Sequence, residues 1–96
     1  MTTSPLPLKT CPLLVKSNGE FRPFRPANGT DFTLAELQGA VGGYIELVQM
    51  EDDHYMVVNE DGLGRDLPFN DRATFLLSNG SLIVGDVVIC PTRMVL

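Results

Sequence analysis

The stretch Val41-Gly42-Gly43-Tyr44-Ile45-Glu46 constrains this chain more than any other. A short helical pattern ends on two adjacent glycines and passes at once into a strand. Gly42 fits the left-handed residue that follows a helix end. Phosphate-binding glycines precede a helix N-terminus, whereas these follow a helix, so a helix stop and sharp turn is the reading they support. The start of the same helix is also written locally. Thr33 is a good N-cap, and Glu36 three residues on completes a capping box. Phe32 before the cap and Leu37 at the fourth helical position form the accompanying hydrophobic staple. Leu34, Leu37 and Val41 then share one face at helical spacing. Such a helix has about three turns at most, so packing rather than propensity must hold it.

The segment that follows, Tyr44 to Met50, reads as a strand with apolar residues on both sides: Tyr44, Val48 and Met50 on one, Ile45 and Leu47 on the other. That predicts a central strand covered on both faces. Glu51-Asp52-Asp53 is its turn and His54 to Asn59 the antiparallel return. Nearer the N-terminus, Pro12 to Lys16 is a short strand candidate, and Asn18-Gly19 suits a tight hairpin turn. Its return carries Pro23 and Pro26, which confines it to an edge strand or loop. Residues 60 to 69 read as irregular. Asn70 is placed to cap a second short helix to Leu77, with Asn79-Gly80 to stop it. Ser81–Val84 and Val87–Cys90 are strand candidates separated by Gly85-Asp86, either one strand with a bulge or two across a tight turn. Residues 1–10 carry two prolines without apolar periodicity and read as a flexible arm. Residues 11–96 read as one α+β domain: a mainly antiparallel sheet with one or two short helices on one face.

The chain has 96 residues, enough for a single core, and is 44% apolar, too much for a disordered chain. Twelve acidic residues against seven basic ones give a formal charge of −5. The basic residues do not cluster, which argues against a site for duplex nucleic acid. The acidic ones are too scattered for a mimic of DNA. No apolar run approaches the ~18 residues that span a bilayer. No secretory signal opens the chain, so Cys11 and Cys90 are expected as free thiols in a reducing cytoplasm. The apolar content, with strands apolar on both faces, leads us to expect a two-fold homodimer.

No residue pattern marks catalysis, a metal or a cofactor. The single histidine, His54, sits beside an acidic turn with no nucleophile or acid partner placed by the sequence, and a surface strand end accounts for it. Asn59-Glu60-Asp61-Gly62 lacks the alternating oxygens and distal Glu of a calcium loop; a turn with side chain-to-backbone bonds accounts for it. Glu46 and Glu60 are candidate functional carboxylates, although a partly solvated face accounts for Glu46. If a ligand site exists, Asn59, Glu60, Arg65, Asn70 and Arg72 are its candidates, because they lie on or beside irregular chain. The arginines would grip an anion. Capping and loop solvation account for the same residue types.

Taken together, Val41-Gly42-Gly43-Tyr44-Ile45-Glu46, Val58-Asn59-Glu60-Asp61-Gly62, Leu67-Pro68 with Asn70 and Ala73-Thr74, and Ile83-Val84-Gly85-Asp86 resemble a family of small proteins of phage, prophage and plasmid genomes classed as a domain of unknown function. The resemblance spans Phe32 to Cys90. It implies a mobile-element origin and expression in a bacterial cytoplasm. The expected function is a non-enzymatic accessory protein that binds a host protein or assembles with itself. The alternative is a protein that sequesters a small ligand, a signalling nucleotide, to counter host defence.

Overall fold

A computed structural model describes residues 12–51, 53–77 and 80–95. The expected arm over residues 1–10, Cys11 and Asn79 lie outside them. Five antiparallel strands form one sheet in the order β2-β1-β5-β4-β3. They are β1 (Leu13–Val15), β2 (Phe21–Pro23), β3 (Ile45–Met50), β4 (His54–Asn59) and β5 (Val87–Pro91). Two helices accompany them, α1 (Leu34–Val41) and α2 (Asp71–Leu77), and a 3-10 turn covers Thr92–Met94. The α+β class and the antiparallel sheet are as expected.

The register divides the core cleanly. Val57 pairs with Val88 and Met56 with Ile89, and successive side chains point to opposite faces. Val57, Val88 and Cys90 therefore join Phe32, Leu37 and Val41 on the α1 face. Met56, Val58, Val87 and Ile89 join Leu13, Val15, Ala73 and Ile83 on the α2 face, with Leu76 and Leu77 packed against them. The two helices thus cover opposite faces instead of sharing one.

The α1 signals act as read. Thr33 Oγ1 accepts the Glu36 N–H at 3.2 Å and Glu36 Oε1 accepts the Thr33 N–H at 2.8 Å. At the other end Gly42 is left-handed, with φ 83°, and its N–H donates to Gln38 O at 2.8 Å. A residue with a Cβ would be strained there.

Three further expectations need correction. The strand after the paired glycines is not central: β3 is an edge strand, and Leu47 is 40% exposed. Apolar residues on both sides of a strand reveal its two faces, not whether a second neighbour lies alongside. The strand covered on both faces is β5, buried at every position. Ser81–Val84 is neither half of a bulged strand nor a strand of its own. Val84 makes one isolated bridge to Phe69, and Gly85, at φ 77°, turns the chain into β5. Finally, His54 is not a surface strand end. It is buried in β4 opposite Pro91.

Candidate functional site

A cleft of about 330 Å³ opens on the α2 face, at the end of the sheet where β3 begins and β4 ends. Alternation along β3 and β4 places Glu46, Val48 and Val58 on that face. The opposite wall is Leu82, Ile83 and Val84, and the loop from Glu60 to Gly64 closes one side.

Each wall is fixed by identifiable bonds. Asn59 is buried and holds the loop at both of its amide atoms. Its Nδ2 donates to Val41 O at 3.0 Å, and its Oδ1 accepts the Asp61 N–H at 2.8 Å. Arg65 adds a second tie to the end of α1, donating from Nη1 to Gly42 O at 3.1 Å. The far wall hangs on α2 and the segment before it. The Asn70 N–H donates to Ile83 O at 2.9 Å, the Gly85 N–H to Pro68 O at 2.7 Å, and the Ile83 N–H to Thr74 Oγ1 at 2.9 Å. The loop also packs tightly on this wall, because a Cβ at Gly62 would lie 2.7 Å from Val84 Cγ2.

The lining has two characters. Glu46, Glu60 and Asp61 supply carboxylates, and the described lining carries no Lys or Arg. Val48 and Val58 on the sheet and Ile83 and Val84 on the opposite wall supply apolar surface. Leu63 and Leu82 stand at the rim, 65% and 55% exposed. A volume of this size lies at the small end of ligand pockets, about 300–1,000 Å³.

The five sequence candidates do not converge. Glu60 borders the cleft with its carboxylate exposed, and Asn59 lines it with its amide committed to the fold. Arg65 turns to the α1 end. Asn70 is fully buried, and its amide donates to Val15 O at 3.0 Å and Gly85 O at 2.8 Å while accepting the Ala73 N–H at 3.0 Å. Nothing of it remains for a ligand. Arg72 stacks over the Phe21 ring, 5.7 Å from its centre, on the β2 side of the sheet. Sequence reasoning considered Glu46 and set it aside, and missed Asp61, Leu63 and Leu82 as a group. Their only common signal is position: a strand start, a loop and a pre-strand segment that the sheet register brings together.

Elsewhere, Cys90 is a free, buried thiol whose pKa is pushed up to about 11 by burial. Among the described residues no group of three or more His, Cys, Asp or Glu is placed to hold a metal, and no helix is long and apolar enough to cross a membrane.

A family model described as "Domain of unknown function (DUF3846)" matches residues 13–93. The chain belongs to that family, and the match takes in the β1–β2 hairpin as well as the stretch that resembled such a family by sequence motif. No curated protein and no solved structure matches.

Proposed function

We propose that this chain is a non-catalytic binding module, an accessory protein of phage or plasmid genomes acting in the bacterial cytoplasm, whose cleft receives a basic, partly apolar segment of a host protein. The composition of the cleft carries this reading: three carboxylates beside apolar surface of valine and isoleucine, with two exposed leucines at the rim. Lysine or arginine side chains lay their methylene stems on apolar surface and keep the charged head near carboxylates. The negative charge of the whole chain, −5, steers such a partner toward it. The signalling-nucleotide alternative needs cations at the site, and both candidate arginines are directed elsewhere.

The test is titration of the protein against fluorescent dodecapeptides that interleave Lys or Arg with Leu and Phe, beside acidic counterparts and a cyclic dinucleotide. Binding of the basic peptides should weaken with salt, because exposed charges are screened over about 8 Å at physiological ionic strength. Glu60→Lys with Asp61→Lys should weaken it at least about tenfold without moving the melting temperature. Preference for the cyclic dinucleotide, lost in Arg65→Ala with Arg72→Ala, would overturn the reading.

A further inference from the structure

The two edges of the sheet are built differently. At one, β2 is only three residues long; Pro23 has no N–H to offer, and Arg22 is held by Glu20 at 3.1 Å. Short length, proline and charge are the usual means of blocking an edge. At the other, β3 runs six residues with no proline, lysine or arginine.

The open groups of β3 follow from its ladder. The Glu60 N–H donates to Tyr44 O at 2.9 Å, which extends the β3–β4 register by one bonded pair. Bonded and non-bonded pairs alternate in an antiparallel ladder. Glu46, Val48 and Met50 therefore spend their main-chain groups on β4. Ile45, Leu47 and Gln49 aim theirs outward. Among the described residues no main-chain hydrogen bond outside that ladder reaches these three. Leu47 itself is 40% exposed, and Tyr44 beside Ile45 is 67% exposed.

We propose that the occupant of this edge is a second copy of the same chain, whose β3 pairs antiparallel with the first across a two-fold axis at Leu47 to give a continuous ten-stranded sheet. The register follows from charge and overlap. Centred on Leu47, the pairing sets Leu47 opposite the second copy's Leu47 and Ile45 opposite its Gln49, so all three outward residues find partners. Glu46 then faces the second copy's Val48. Centred on Glu46, two carboxylates would face each other, and like charges directly opposite are unfavourable. Centred on Val48, Ile45 would lose its partner. In the favoured register the two Glu46 carboxylates are only diagonal neighbours. Glu46 and Val48 also line the cleft, so the pairing brings two clefts together with residues from both copies at the join. The proposal does not rest on the cleft's ligand: a monomer that still binds basic peptides would refute the pairing alone.

Light scattering at tens of micromolar should give twice the chain mass of 10.5 kDa. Hydrogen exchange should show the Ile45, Leu47 and Gln49 amides protected. Leu47→Lys and Leu47→Glu place like charges across the axis, and each should weaken dimerisation about tenfold or more, with those amides freed and circular dichroism unchanged. Mixing the two should restore a heterodimer by native mass spectrometry. Glu46→Gln should tighten the dimer. A monomeric wild type with freely exchanging edge amides would overturn the proposal. So would Leu47→Lys and Leu47→Glu variants that both remain dimers, or folded ones that fail to pair when mixed.

Discussion

The helices on the α1 face and the α2 face of the sheet are anchored by different means. On the α1 face, Phe32, Leu37 and Val41 are all buried against Val57, Val88 and Cys90. The helix that delivers Leu37 and Val41, just after Phe32, is set by neighbours in sequence: Thr33 and Glu36 begin it and Gly42 ends it. On the α2 face the helix is one residue shorter, Ala73 is its buried residue, and Phe75 is 77% exposed. Apolar packing closes this face as well, but the start of α2 is fastened by Asn70, whose amide reaches Val15, 55 positions away in the chain. The shorter helix, anchored at its start by one polar side chain, leaves part of its face uncovered beside Val58 and Ile83, and the cleft lies there.

The largest effect expected from this difference is at Asn70. Asn70→Ala removes the acceptor that caps α2, deprives Gly85 O of its side-chain donor, and takes from Val15 O a bond additional to the one its ladder pairing with Val87 supplies. A lost cap costs about 1 kcal/mol, and each buried polar group left unpaired costs about 1–3 kcal/mol. Together a loss of about 3 kcal/mol is expected, a large share of the ~5–15 kcal/mol of a domain. Urea unfolding followed by circular dichroism measures it. A loss under about 1 kcal/mol, the size of the cap alone, would show that apolar contacts hold both faces alike.

On the α1 face the matching test is Thr33→Ala. The cap is local and exposed, so the expected loss is about 1 kcal/mol. Chemical-denaturation curves for both variants, taken side by side, give the ratio that the comparison requires. Equal losses would break it.

These magnitudes also explain what could be read from the sequence. The capping box, the staple and the glycine stop of α1 occupy one short window, so local rules suffice for them. The capping role of Asn70 was legible for the same reason, since Ala73 is three residues on. Its bonds to Val15 and Gly85 were not, because they exist only once the sheet has assembled. The edge position of β3 was hidden for a similar reason. Ile45, Val48 and Met50 face apolar neighbours, and nothing in the segment says that no strand follows on the outside. The candidate site was legible in part. Irregular chain pointed correctly to the loop holding Glu60 and Asp61. The emphasis on arginine did not survive assembly: Arg65 is drawn to the carbonyl of Gly42 and Arg72 to the ring of Phe21, which leaves the described lining of the cleft with carboxylates and no compensating cation.

The smallest effect separates the two faces by pH. Glu36 holds the entrance to α1 at two points: Oε1 accepts the Thr33 N–H and Oε2 the Ala27 N–H, each at 2.8 Å. The bond from Thr33, then that from Ala27, keep the Glu36 carboxyl below its ordinary value of 4.5. In the unfolded chain that value returns. A folded pKa below the unfolded one gives stability that is complete above the unfolded value and is lost as pH falls through the folded one. The difference in melting temperature between wild type and Glu36→Gln should therefore be constant from pH 7 to about 5 and shrink below pH 4.5. The Asn70→Ala difference should show no such acid limb, since a carboxamide carries no titrating proton. If the two differences fall together on acidification, Glu36 is not the source of the acid sensitivity, and the α1 face is held by packing alone. If only the Glu36 difference falls, the helix made by local signals is the one that acid loosens first, while the side chain that ties α2 to the sheet keeps its hold.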